Sequence, residues 1–134
     1  MKIQHVDISY VNQLWPQVEK FIDAALAYQD DYTLEHVKVY VTNGSWMLLV
    51  AIDDAGEIHG ASTVQFYNRP NDRVAFVVTI GGRLITNQDT FRQLSSLLKA
   101  FGATAIEGSA RESIARMWKR YGFEEKYRVV GAKL

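Results

Sequence analysis

The chain has 134 residues, with 15 lysines and arginines against 15 aspartates and glutamates, so no net charge draws it to nucleic acid or an anionic membrane. It contains no cysteine, which removes disulfides, thiolate catalysis and cysteine metal sites together. The length suits one domain over residues 1–134; there is no signal-like apolar core at the start and no apolar run near the ~20 residues of a membrane span, so a cytoplasmic protein is expected.

In chain order, "MKIQHVDI" reads as a short edge strand. A helix is predicted from Pro16 to about Tyr28, with Pro16 at the first helical position and Val18, Phe21, Ile22, Ala25 and Leu26 as a 3.6-period stripe. Thr33 suits the N-cap of a second helix that presents Leu34, Val37 and Val41 on one face and ends at Asn43-Gly44. The period then changes. "WMLLVAI" is a buried strand, Asp53 to Gly56 is a turn, and "EIHGASTVQFY" is the returning strand. A second turn, Arg69 to Asp72, leads into "RVAFVVTI", which makes an antiparallel meander.

After Ile80 comes the pair Gly81-Gly82, then Arg83 and a helix read from "NQDTFRQLSSLLKAF", with Phe91, Leu94, Leu98 and Phe101 at helical spacing. That is the length of a crossover, so the next strand, "ATAIEG", should lie parallel to the previous one by a right-handed connection. The last helix, "ARESIARMWKRY", carries a capping box in Ser109 and Glu112, with Ile114, Met117, Trp118 and Tyr121 on its apolar face. "YRVVGAKL" is read as a final strand. The predicted class is α/β (α+β): a mixed sheet whose first four strands are antiparallel, one parallel crossover, and helices on both faces.

This order of elements resembles the GNAT superfamily of N-acetyltransferases over essentially the whole chain. "IARMWKRYGFEEKYRVVGAKL" is similar to the family's closing pattern around Gly-Phe, and "GEIHGASTVQFY" to its third strand. A closer resemblance is to short GNAT-like proteins of tailed phages, whose strand ends in a glycine pair where the pyrophosphate loop would be. The resemblance implies acetyl-CoA or CoA as cofactor and no metal, with contacts from Val78, Thr79, Gly81, Gly82, Arg83, Thr86 and Asn87. The physical basis is a helix start after a strand, which offers unpaired amides and a positive dipole end to a pyrophosphate. In the family the loop reads roughly [R/Q]-x-x-G-x-[G/A]. Arg83 fits its first position, but Thr86 and Gln88 stand where the glycines would be. The competing reading is that Gly81-Gly82 only turn the chain, with Thr86 and Asp89 capping the helix.

The family's acid is a tyrosine on the last helix. Aligned on Gly122-Phe123, that position holds Trp118, whose indole N–H donates a hydrogen bond but is no acid near neutral pH. Arg111 falls where an asparagine is common. Tyr121 could serve as the acid only if the helix were rotated or shifted, and Tyr127 is a further candidate; both Trp118 and Tyr121 also suit plain packing. Glu107 is the best-placed base, on the expectation that burial raises its pKa, against the bland reading of a solvent-facing glutamate. A backbone N–H near Val78 or Thr79 would polarise the acyl carbonyl. His5, His36 and His59 show no metal-ligand spacing. The basic residues Arg111, Arg116, Lys119 and Arg120 read as a solvated face, or as a contact for the 3′-phosphate of CoA or a nucleic-acid backbone.

Two functions follow. One is an acetyl-CoA-dependent N-acetyltransferase with an atypical CoA loop, acting by direct transfer to an amine of a small molecule or protein. The other is a GNAT-fold protein without catalysis, a binding or structural component such as a phage component or host-factor antagonist. The second would go with host-cytoplasm or virion placement and with a homo-oligomer or a phage or host protein partner.

Overall fold

Alternation along the strands decides the layers. In β2 (Met47–Ile52), Met47, Leu49 and Ala51 are buried on one face and Leu48 and Val50 on the other, so this strand is covered on both sides. The structure, a computed structural model, describes residues 1–134. Its sheet runs β1 (Lys2–Val6), β2, β3 (Ile58–Asn68), β4 (Arg73–Gly82), β5 (Ala105–Gly108) in spatial order. The first three pairings are antiparallel and β4–β5 is parallel, joined through α3 (Gln88–Ala100). This is the mixed α/β sheet expected.

One face is covered by α1 (Val11–Leu26) and α2 (Leu34–Thr42), whose Trp15, Val18, Ile22, Val37 and Val41 meet Leu48, Val50 and Ala61. On the other face Leu94 and Leu98 of α3 pack with Leu49, Ala75, Val77 and the loop residue Leu84. Gln93 of α3 also reaches the outer strand, accepting from the Ile3 N–H at 2.9 Å. No helix is long and apolar enough to cross a membrane.

Three predicted boundaries need correction. α1 starts five residues before Pro16, because Val11 and Trp15 extend the buried stripe toward the N-terminus. A 3₁₀ turn, Ile8–Tyr10, leads into it, with the Asp7 carboxylate accepting from the Ser9 N–H. Pro16 therefore lies inside the helix, where it removes the bond to the carbonyl of the exposed Asn12, a group water can serve. Secondly, Ser109 does not cap the last helix. That helix, α4 (Glu112–Trp118), starts after Arg111, whose guanidinium lies over the Tyr28 ring at 4.0 Å and whose backbone is extended. A 3₁₀ turn, Lys119–Tyr121, ends it, and Gly122 follows with φ +92°. Thirdly, "YRVVGAKL" forms no strand. β5 offers four half-buried residues, and the side chains of Lys126 and Tyr127 are taken by groups at the sheet edge rather than aligned in a ladder.

Candidate active site

The site follows from where β4 and β5 part. They pair from Val74–Ala105 to Val77–Gly108, and β4 runs on alone through Val78 to Gly82. On its other side β4 slips one residue against β3: Thr63 opposes Thr79, but Val64 opposes Val77, which leaves Val78 as a bulge. A bulge breaks the ladder and turns backbone polar groups out of it. Here that happens one residue past the end of the β5 pairing. Buried hydroxyls fix it: Ser62 Oγ donates to the Thr79 carbonyl at 2.7 Å, and Thr63 and Thr79 share a side-chain bond at 2.7 Å.

Trp118 closes one side of this gap. A Cβ on Gly108 would lie 3.2 Å from the indole and 3.4 Å from the Val77 carbonyl, so the buried ring sits against the last paired residue of β5. Phe123 packs on Trp118 and on Phe91 of α3, and Tyr121 stacks on Phe91 at 5.3 Å. Tyr121 ties α4 to the first turn of α3, and Trp118 faces the gap.

The glycine pair has a local cause. A Cβ on Gly81 would lie 2.1 Å from the Phe21 carbonyl oxygen of α1, and one on Gly82 would lie 2.5 Å from the His59 carbonyl. Gly82 also has φ +70°, a conformation that disfavours side chains. These glycines let α1 cross the end of β4. Beyond them the Arg83 N–H donates to the His59 carbonyl at 2.8 Å, and the Arg83 side chain is exposed.

The start of α3 is capped by Asn87 and Thr90, not by Thr86 and Asp89. The amides of Thr86 and Asn87 donate to Thr90 Oγ1 at 2.9 and 3.2 Å, and the Thr90 N–H donates to Asn87 Oδ1 at 2.9 Å. The Asp89 carboxylate adds a negative charge to the same turn and accepts from Gln93 at 2.9 Å. By position, Gln88 and Asp89 keep first-turn amides without an intrahelical partner.

Glu107 is neither solvent-facing nor free. Its side chain, 12% exposed, accepts from both terminal nitrogens of Arg69, and Lys126 Nζ stands 3.3 Å away. The Arg69 hydrogen bonds hold its carboxyl below the ordinary value of 4.5, the opposite of the expected upward shift. Burial, then the Glu107 charge, pushes the neighbouring Tyr67 phenol up, and Arg69 also donates to the Tyr67 hydroxyl at 2.8 Å. Tyr127 lies in this cluster, its hydroxyl 3.4 Å from Arg69 Nη2.

Two features were not read in the sequence. The turn between β2 and β3 gathers Asp53, Glu57 and His59 with ligand atoms within 4.8 Å of one another. The hydrogen bond from His59 at 2.7 Å, helped by the Glu57 N–H, holds the Asp53 carboxyl below its usual value. The D-x₃-E-x-H spacing across a hairpin was the available signal. In addition, a cavity of about 360 Å³ lined by His5, Trp46, Phe66 and Phe101 opens at the opposite end of the sheet from the glycine pair.

No protein-family model matches the sequence, and no curated protein matches it. Solved structures do match along the whole chain. A probable acetyltransferase superposes with a TM-score of 0.70 at 13% identity, covering 100% of this chain and 97% of that one. A ribosomal-protein-alanine N-acetyltransferase from Brucella melitensis biovar Abortus 2308 gives 0.69 at 11% identity and full coverage of both chains. An aminoglycoside acetyltransferase from an uncultured soil metagenomic sample, solved with sisomicin, gives 0.70 at 14% identity over 99% of this chain and 95% of that one. At these identities the likeness is one of fold: the chain has the fold of the GNAT acetyltransferases.

Proposed function

We propose that this chain is an acetyl-CoA-dependent N-acetyltransferase that moves an acetyl group directly to an amine. The observation that carries the proposal is the Val78 bulge, set one residue past the last β4–β5 pair in a fold used by acetyltransferases. Bound acetyl-CoA would supply the thioester whose carbonyl the amine attacks. The residues fit that cofactor unevenly. Backbone groups of Val78 and Thr79 suit the acyl end, and Arg83 with the amide of Gln88 suits the pyrophosphate. Thr86, Asn87 and Gln88 carry side chains at the turn, two of its amides already serve Thr90, and Asp89 repels a phosphate. Weak cofactor affinity follows. Gly81 and Gly82 act here by admitting α1.

In this reading Glu107 is a positioning residue. Arg69 and Lys126 keep it ionised and occupied, so it braces the site edge beside the acceptor and leaves the amine's proton to solvent. Tyr121 serves packing, and the departing thiolate takes its proton from water, which slows the reaction without forbidding it. The acceptor is an amine of a small molecule or a protein.

The test is acetyl transfer from acetyl-CoA to a panel of primary amines, with Arg83→Ala alongside. The variant should raise KM for acetyl-CoA about tenfold, equivalent to ~1.4 kcal/mol, with the acceptor KM unchanged. Absence of both transfer and cofactor binding at ~1 mM, where even ~4 kcal/mol of affinity is visible, would refute the proposal.

A further inference from the structure

The turn between β2 and β3 gathers more ligand atoms than it needs in order to close. Its backbone closes it: the Asp53 N–H donates to the Glu57 carbonyl at 3.0 Å, and the Gly56 N–H to the Asp53 carbonyl at 3.0 Å. The amides of Ala55 and Glu57 both donate to Asp53 Oδ1 at 2.9 Å. That fixes the carboxylate and leaves Oδ2 facing His59, 2.7 Å from its Nε2. Glu57 and His59 flank the buried Ile58, and strand alternation puts both on the side opposite to it. One ligand atom from each of Asp53, Glu57 and His59 therefore falls within a 4.8 Å span. His59 is also held from behind. Its carbonyl accepts from the Arg83 N–H at 2.8 Å, and a Cβ on the next residue, Gly60, would lie 2.8 Å from the Leu84 nitrogen.

The charge of this turn is unbalanced. No lysine or arginine pairs with Asp53 or Glu57, and Asp54 adds a third carboxylate. A clip across the hairpin would need only Asp53 and His59. We infer that Asp53, Glu57 and His59 bind a first-row divalent cation, with Zn²⁺ the best fit. The imidazole selects against Mg²⁺ and Ca²⁺, which take oxygen ligands, and three protein ligands leave a fourth tetrahedral position to water. At bond lengths of about 2.0–2.2 Å, tetrahedral ligand atoms lie roughly 3.4 Å apart. Glu57, exposed and in no ion pair, reaches that spacing by side-chain rotation. His59 gives the lone pair of Nε2 and carries its proton on Nδ1. The ion sits on the hairpin, outside the gap at Val78. It takes no part in acyl transfer; it locks the β2–β3 turn against the Arg83 segment.

The experiment is calorimetric titration of ZnCl₂ into the full chain, untagged and stripped of metal, with Glu57→Gln and His59→Gln beside it. Both side chains reach solvent, and circular dichroism checks that each variant keeps the fold. The parent should take up one Zn²⁺ with a Kd at or below about 100 µM, and its thermal midpoint should rise on saturation. Glu57→Gln should weaken binding about tenfold, and His59→Gln at least as much. Co²⁺ in place of Zn²⁺ should show the visible absorption of a tetrahedral ion, which His59→Gln removes. No uptake at ~1 mM Zn²⁺ contradicts the inference. So does uptake unchanged in both variants, which would put the ion elsewhere. Equal affinity for Mg²⁺ would also overturn it, by marking a diffuse attraction of cations to the acids.

Discussion

Glu107 is a carboxylate held between two cations. Its two oxygens answer Arg69, its flank meets Lys126, and its folded pKa lies below the ordinary value of 4.5. The stabilisation from this pairing is therefore complete above that value and fades as pH falls through the lower folded one. Glu107→Gln should lower stability by ~1–3 kcal/mol at neutral pH, by leaving Arg69 half-satisfied, and should flatten the acid limb of the stability curve. Chemical denaturation across pH 3–7 reads both effects; an unchanged acid limb would contradict the assignment. If the residue braces rather than accepts a proton, Glu107→Gln also leaves the pH profile of kcat in place. The glycine pair makes the second prediction at this scale. Gly81→Ala forces a methyl into the Phe21 carbonyl and should cost about 3 kcal/mol, a steep loss for an added methyl. A thermal midpoint like that of the parent would contradict the crossing of α1 over β4.

At the scale of elements, the meeting of α3 with α4 governs what the gap can hold. The amides of Thr86 and Asn87, just before α3, are taken by Thr90, and Trp118 lies against Gly108 at the end of β5. Replacing Gln88 by glycine removes a side chain that bonds the Arg120 carbonyl at 3.2 Å and that crowds the turn. We expect about threefold tighter acetyl-CoA binding at a stability cost near 1 kcal/mol, read by calorimetry and melting. Trp118→Tyr should add a usable acid, raising kcat about tenfold, short of the ~10²–10⁴ of an evolved acid, with a new basic limb in the pH profile. The parent's elements were largely legible in the sequence, since α1 and α3 carry strong apolar stripes and the turns their glycine or Asx residues, whereas α4 buries only Trp118 and leaves Met117 exposed. The start of α1 was not, because a proline reads as a helix start whereas the buried stripe begins at Val11. The cap at α3 was misread for a related reason: Thr86, Asn87, Asp89 and Thr90 all suit a cap, and only the folded turn selects among them.

For the molecule as a whole, the β4–α3–β5 crossover was legible from the length of its connection, whereas the antiparallel pairing of β1 with β2 across two helices was not, because a connection that long reads equally as a parallel return. The partners of Glu107 were not, because Arg69 and Lys126 lie far from it in sequence and nothing local announces the contact. The final strand was expected on composition, and the short β5 edge left it without a partner within the chain. What unites these levels is a fold with a bulged, splayed pair of strands and a poor phosphate turn. The measurement that tests this most directly is amide-resolved NMR titration with acetyl-CoA. The account predicts fast-exchange shifts concentrated at Val78, Thr79, Arg83, Gln88 and Gly108, saturating weakly, and lost in Arg83→Ala at the turn but kept at the bulge. No shifts at the bulge, or shifts confined to the cavity around Trp46 and Phe101, would contradict it.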